Sequence, residues 1–184
     1  LLADYIAVNF VDRVFDNPSM FSGLENLLAL YGYSLQVYAD FSGYTDIAIG
    51  IAMIMGFYLP KNFNSPYKAD NCGNFWKRWH ISLSTWLKDY LYIPMGGNRR
   101  GSLFSVIALS FIVLFVFLIS GSWVLLFLIL SLIFLVQLLG EFIPSFKGWY
   151  ITNVNIMLTM LLGGLWHGAS WNFVLWGGLN GLGI

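Results

Sequence analysis

Apolar residues fall along this chain in blocks parted by short polar segments, and the blocks predict helices joined by loops. Residues 1–15 set Leu2, Ile6, Phe10 and Val14 at helical intervals with Asp4, Asp12 and Arg13 between them. That pattern is an amphipathic helix at an interface. Two apolar runs follow, 24–39 and 47–59, joined by Asp40-Phe41-Ser42-Gly43-Tyr44-Thr45-Asp46, so two carboxylates interrupt a segment of membrane character. Residues 60–74 concentrate Pro, Asn, Gly and Ser and predict a loop.

Between 75 and 91, residues placed at 100° intervals separate into two arcs. One holds Phe75, Trp86, Trp79, Tyr90, Leu83, Trp76, Leu87, His80 and Leu91; the other holds Ser84, Lys77, Lys88, Thr85, Arg78, Asp89 and Ser82, with Ile81 the misfit. A helix with three tryptophans on one face and cations opposite favours the plane of a membrane interface. Positions 94–101 read as a turn-rich basic loop. Beyond it, 103–120 and 123–139 are almost wholly apolar and are parted by Gly121-Ser122, which predicts a helical hairpin. Each arm approaches the roughly 20 apolar residues that cross a bilayer. A last apolar pair, about 152–166 and 169–184, meets at Trp166-His167-Gly168. The predicted fold class is all-α: a polytopic membrane protein in one membrane domain over 1–184, with an interfacial or re-entrant amphipathic helix inside 60–101 and a two-helix transmembrane insertion over 102–148.

Composition agrees with a bilayer as solvent. The chain is 58% hydrophobic and 18% aromatic with 10% charged residues, against roughly 25% charged in soluble domains. Net charge is zero, yet seven of nine cations (Lys61, Lys68, Lys77, Arg78, Lys88, Arg99 and Arg100) fall between 61 and 100. Lys and Arg near spans favour the cytoplasmic side, which puts 61–100 in the cytosol; two spans later, Lys147 in the next loop returns there. The lone Cys72 offers neither an intramolecular disulfide nor a metal-site spacing. The chain opens on Leu1 and closes inside an apolar run, so it is expected to be an internal piece of a longer protein, and the lack of a signal peptide says nothing.

Two histidines carry most of the chemical interest, each among tryptophans. An ionisable group in a membrane segment is costly unless it pairs or lines a wet cavity, which makes it a functional candidate. His167 sits in Leu162-Gly163-Gly164-Leu165-Trp166-His167-Gly168, where small residues let a helix or a substrate approach closely. Its imidazole can exchange a proton near neutral pH. The bland alternative is a buried structural histidine, and for His80 interfacial packing. Asp40 and Asp46 can orient partners or bind a cation, or simply cap helix ends around a break at Gly43. Zinc-type spacing and phosphate-cradling glycine motifs are missing, and nothing addresses nucleic acid. Ser42 lacks the Gly-x-Ser-x-Gly context of a nucleophile. The basic block reads as a solvated face able to attract a phosphate-bearing thioester donor, and Arg99-Arg100 as a lipid-headgroup contact.

Several runs together resemble the membrane-bound O-acyltransferase (MBOAT) family, in particular its alginate O-acetyltransferase-like bacterial members. They are positions 38–50 around Asp40-Phe41-Ser42-Gly43, then Asn62-Phe63-Asn64-Ser65-Pro66-Tyr67, then Phe75-Trp76-Lys77-Arg78-Trp79-His80-Ile81-Ser82-Leu83-Ser84-Thr85-Trp86. Asp89 to Pro94, Gly96-Gly97-Asn98-Arg99 and the 161–171 run complete the set. The resemblance implies that His167 is the family's catalytic histidine and His80 its second functional one, in a multi-helix tunnel fold of the bacterial inner membrane. It places Trp76, Trp79, Asp40, Ser42, Trp166, Asn98 and Arg99 as substrate contacts and implies no metal and no bound cofactor. Acetyl-CoA or another acyl thioester is the expected donor, with a membrane lipid environment, an extracytoplasmic acetyltransferase partner and an exopolysaccharide or cell-wall sugar as acceptor. The family commonly joins the Gly-Gly-Asn-Arg loop to the histidine run more briefly, which marks 102–148 as an insertion of even span number that preserves sidedness.

The expected reaction is acyl transfer to a hydroxyl with His167 as general base and His80 positioning reactants or stabilising charge. A protein, lipid or D-alanyl-carrier acceptor fits the same residues. A proton or ion transporter using Asp40, Asp46 and the histidines, or a structural assembly subunit, remains open on residue physics alone. A helix beginning near Thr152 would carry His167 about 22 Å inward.

Overall fold

A computed structural model describes residues 2–98, 101–168 and 170–184, and the described residues form helices and turns with no strand. The chain divides into two compact units, 1–64 and 65–184.

In the first unit, α1 (Leu2–Ile6), a π-helical turn (Ala7–Val11) and α2 (Asp12–Asp16) form one irregular helical arm that packs on α3 (Gly23–Ile54). Small side chains make the contact: Ala3, Ala7, Val11, Val14 and Ala29 are buried, Val14 and Ala29 at 0% exposure. A Cβ on Gly32 would meet Val11 at 3.2 Å. α3 starts in a capping box, with Ser22 and Glu25 each satisfying the other's backbone N–H.

α3 runs for 32 residues without interruption, so the break expected at Gly43 does not occur, and with it goes helix capping by Asp40 and Asp46. The physical reason is exposure. A Cβ at Gly43 would touch nothing, so glycine there costs only its propensity, roughly 1 kcal/mol, which one residue in 32 absorbs. The segment after α3 returns: Phe63 packs edge-on against Tyr38 (5.6 Å) and Phe41 (5.1 Å).

The second unit begins with a 3₁₀ turn (Pro66–Lys68), then α4 (Cys72–Trp76), α5 (Ile81–Leu87) and a π-helical turn (Lys88–Tyr92). The single amphipathic helix expected over 75–91 is thus two short helices. His80 adopts φ 44, ψ 55, a left-handed conformation that no helix can contain. The tryptophans consequently part company: Trp76 is 7% exposed and Trp86 48%.

The hairpin is present as read, α6 (Leu103–Ser120) and α7 (Trp123–Phe142), with Gly121 at φ 60 closing the first arm. Both helices are long and apolar enough to cross a membrane, and few of their residues are buried in this chain. α8 (Pro144–His167) starts eight residues before the expected Thr152, so Lys147 lies in its first turns rather than in a loop. Pro144 occupies the first helical position, where its missing N–H costs nothing. The chain ends in α9 (Trp171–Gly183).

The turn between the π-helical segment and α6 is fastened to α8. Asn155, 1% exposed, donates from Nδ2 to the Gly97 carbonyl at 2.9 Å, Thr159 Oγ1 donates to the Asn155 carbonyl at 2.7 Å, and Met95 is fully buried. Leu87 of α5 lies beneath Gly163 of α8, where an added Cβ would meet it at 3.3 Å. α8 is therefore the element on which the rest of this unit is placed.

Candidate active site

His167 ends α8, and its position follows from a helix pair shaped to cross at contact distance. α8 offers Gly163 and Gly164 and α9 offers Gly177 and Gly181, four residues apart, all four buried. Small residues at this spacing let helix backbones meet. A Cβ on Gly164 would stand 2.3 Å from the Phe173 carbonyl oxygen, and one on Gly177 2.4 Å from that of Met160. At the corner Gly168 leaves the helix at φ 159, where a side chain would run into the Phe173 ring at 2.7 Å. Ser170 then caps α9 by accepting from the Asn172 N–H at 3.3 Å.

This corner presents the imidazole of His167, exposed in this chain, to an aromatic wall. Its ring lies 6.0 Å from Phe173 at 24° and 5.1 Å edge-on to both Trp176 and Trp166. The wall continues from Trp176 to Trp76 at 5.6 Å, from Trp76 to Phe75 at 6.0 Å, and from Phe75 to Trp79 in a stack at 5.5 Å. Tyr67 closes it, 6.3 Å from Phe75 and from Trp79.

His80 follows Trp79 directly and, with Ser65, is one of two non-glycine residues at positive φ among the described residues. Such a conformation costs about 1–3 kcal/mol and persists where surroundings impose it, often at functional sites. Here serines hold the turn: Ser84 donates from its N–H to the His80 carbonyl at 3.0 Å and from Oγ to the Trp79 carbonyl at 3.2 Å. Ser82 Oγ lies 3.4 Å from His80 Nδ1. Burial first, and then the charge His167 would carry, hold the His80 imidazole below the ordinary histidine range. The two histidines, far apart in sequence, are thus within electrostatic reach. We expect His80 in the full-length protein to titrate below the ordinary histidine range, and its midpoint to rise part of the way back in H167Q, because the second of the two causes is then gone. Imidazole NMR in lipid nanodiscs reads both midpoints; an unmoved midpoint in H167Q would separate the two residues.

The fold therefore assembles His167, His80, Trp76, Trp79 and Trp166. Asn98 lies elsewhere on this unit. Its carbonyl accepts from Thr152 Oγ1 at 3.5 Å, about 22 Å down α8 from His167 at 1.5 Å per residue, and its side chain accepts from the Tyr92 hydroxyl. Asp40, exposed, and Ser42, half-buried, lie on α3 of the other unit. Arg99 lies outside the described residues. Sequence reading missed Phe173, Trp176 and Asn180. The available signal was their i, i+3, i+7 spacing, which puts them on one face of a helix.

The model of the membrane-bound O-acyltransferase family matches residues 1–147, four-fifths of the chain. The chain belongs to the MBOAT family. Among its relatives, the peptidoglycan O-acetyltransferase of Helicobacter pylori is 38% identical over 184 residues, all of this chain and 26% of that protein. The Azotobacter vinelandii protein named "Probable alginate O-acetylase AlgI" is 40% identical over 154 residues, 84% of this chain and 21% of its own length. The teichoic acid D-alanyltransferase of Bacillus subtilis is 31% identical over 159 residues, 84% of this chain and 29% of its length. The chain spans about a quarter of the length of these MBOAT relatives. The family match contains His80 and ends before His167, whereas the alignment to the Helicobacter protein covers both.

Proposed function

We propose that the protein containing this chain is a multi-pass inner-membrane O-acyltransferase that moves an acetyl group from a cytosolic thioester, such as acetyl-CoA, to hydroxyls of an exported polysaccharide or cell-wall sugar. One observation carries the assignment: an exposed imidazole at the corner of a tightly packed helix pair, beside an aromatic wall that runs through Trp176, Trp76 and Phe75 to Trp79, the neighbour of a second imidazole held in a left-handed turn. Membership in an acyltransferase family and relatives named as O-acetyltransferases support it.

In this mechanism His167 takes the proton of the acceptor hydroxyl as its oxygen attacks the thioester carbonyl. The tetrahedral oxyanion collapses with loss of the C–S bond, the imidazolium returns its proton to the departing sulfur, and an oxygen ester remains. His80, uncharged at neutral pH, can present a ring N–H to the developing negative charge. The aromatic wall offers apolar surface along which a flexible donor can lie. An extracytoplasmic acetyltransferase partner would take the ester so formed and pass its acetyl group to the sugar, and Asp40, Ser42, Asn98 and Arg99 are proposed as further substrate contacts.

The test is chemical analysis of cells with and without the full-length protein. Ester-linked acetate released by mild alkali from exported polysaccharide or wall should depend on it. Loss of ester-linked D-alanine with acetate unchanged would replace the acetyl reading by alanyl transfer, which the similarity to the Bacillus protein makes the second reading. Dependence of neither would overturn acyl transfer to an exported acceptor.

A further inference from the structure

Asn180 has no part in the mechanism above, and among the described residues it makes a side-chain hydrogen bond between α4 and α9. Its Oδ1 accepts from the Trp76 indole Nε1–H at 3.2 Å, and its Nδ2 donates to the Trp176 carbonyl one turn earlier at 2.8 Å. Trp76 is buried, so its indole N–H needs this acceptor or goes unpaired. The ring so fixed stands edge-on to Trp176, and Trp176 edge-on to His167. α4 is otherwise a single short helix, Cys72–Trp76, followed within four residues by the strained His80. A side chain at Gly183 would meet Cys72 at 3.2 Å, so the two helices already touch, but that contact has no direction of its own. The hydrogen bond supplies it.

We propose that Asn180 is a positioning residue: by latching the Trp76 indole to α9 it sets the aromatic wall and the His80 turn against His167. This rests on His167 being the acyl-transfer base. Asn180 touches no reacting atom; it acts through Trp76 and Trp176. Misplacement of a reacting group by about 1 Å can cost on the order of 10²-fold in rate without loss of binding. The latch therefore belongs in kcat rather than in donor KM.

The experiment compares full-length wild type, N180L, W76F and the N180L/W76F pair in native membranes, with acetyl-CoA as donor. N180L is expected to lower kcat ten- to a hundredfold with donor KM unchanged, and to cost nothing further in the W76F background, because the bond is already absent there. In ¹⁵N-Trp-labelled protein the Trp76 indole N–H signal, assigned with W76F, should shift and exchange faster in N180L. A multiplicative penalty in the double variant, an unchanged kcat in N180L or an unmoved indole signal would each overturn the latch. The indole signal reads the latch without turnover, so a wild type that transfers no acyl group would overturn the acyl-transfer reading alone.

Discussion

Replacing His167 with alanine in the full-length protein should leave its abundance in the membrane unchanged and lower acyl transfer by about 10²- to 10⁴-fold, the range that positioned general bases supply. The fold should survive because His167 stands on the last turn of α8, exposed, and no buried partner depends on it. The close crossing beneath it is made by Gly164 and Gly177, whose contacts are backbone to backbone. What the variant loses is the imidazole presented at the corner. Added imidazole should restore part of the rate in H167A, since truncation to alanine leaves space of that shape beside Phe173 and Trp176. H167Q fills the space and should not respond. Acetyl transfer from labelled acetyl-CoA at matched expression measures all three, and full activity in H167A would remove the base from the mechanism.

How far the sequence discloses this arrangement depends on which physical signal each part rests on. α6 and α7 were legible to within a few residues because apolar runs of bilayer length end abruptly at Gly121 and Ser122, where φ 60 and an N-cap stop them. α3 was harder. Its polar centre, Asp40 to Asp46, resembles a junction, but helix continuity is set by backbone hydrogen bonds, and exposed polar side chains leave these intact. The reverse error occurred at 75–91, where side-chain periodicity is helical while the backbone turns left-handed at His80. Periodicity reports which side chains share a face and is blind to one residue's φ. The early start of α8 was foreshadowed by Pro144, a helix-starting residue overlooked because Lys147 was placed in a loop between spans.

The candidate site divides along the same line. Both histidines were identified from residue type, setting and family resemblance, because ionisable groups in apolar segments are few. Their mutual approach was not deducible from spacing, since it requires α4 to lie against α9 and α5 against α8. Phe173, Trp176 and Asn180 were passed over for a different reason. In a segment so rich in aromatic residues, one more tryptophan carries little information until its neighbours are known.

Gly177→Ala should do through the backbone what His167→Ala does through chemistry. In an open helix the change is stabilising by roughly 1 kcal/mol, because alanine is the better helix former. Here the new Cβ would stand 2.4 Å from the Met160 carbonyl oxygen and 3.1 Å from its carbon, atoms of a helix backbone that cannot swing aside as a side chain tip would. α8 and α9 must separate, and overpacking of this kind costs about 1–3 kcal/mol or more, which exceeds the propensity gain. The expected result is a full-length protein with a lower melting temperature in detergent and sharply reduced acyl transfer although both histidines are intact. Gly178→Ala is the matched control. Its Cβ would meet only the Leu161 Cδ2 methyl, at 3.8 Å, an ordinary contact, so stability should hold or rise. If both variants melt like wild type, the close crossing of α8 and α9 is not what holds His167 against Trp176, and the geometry derived for the corner fails with it.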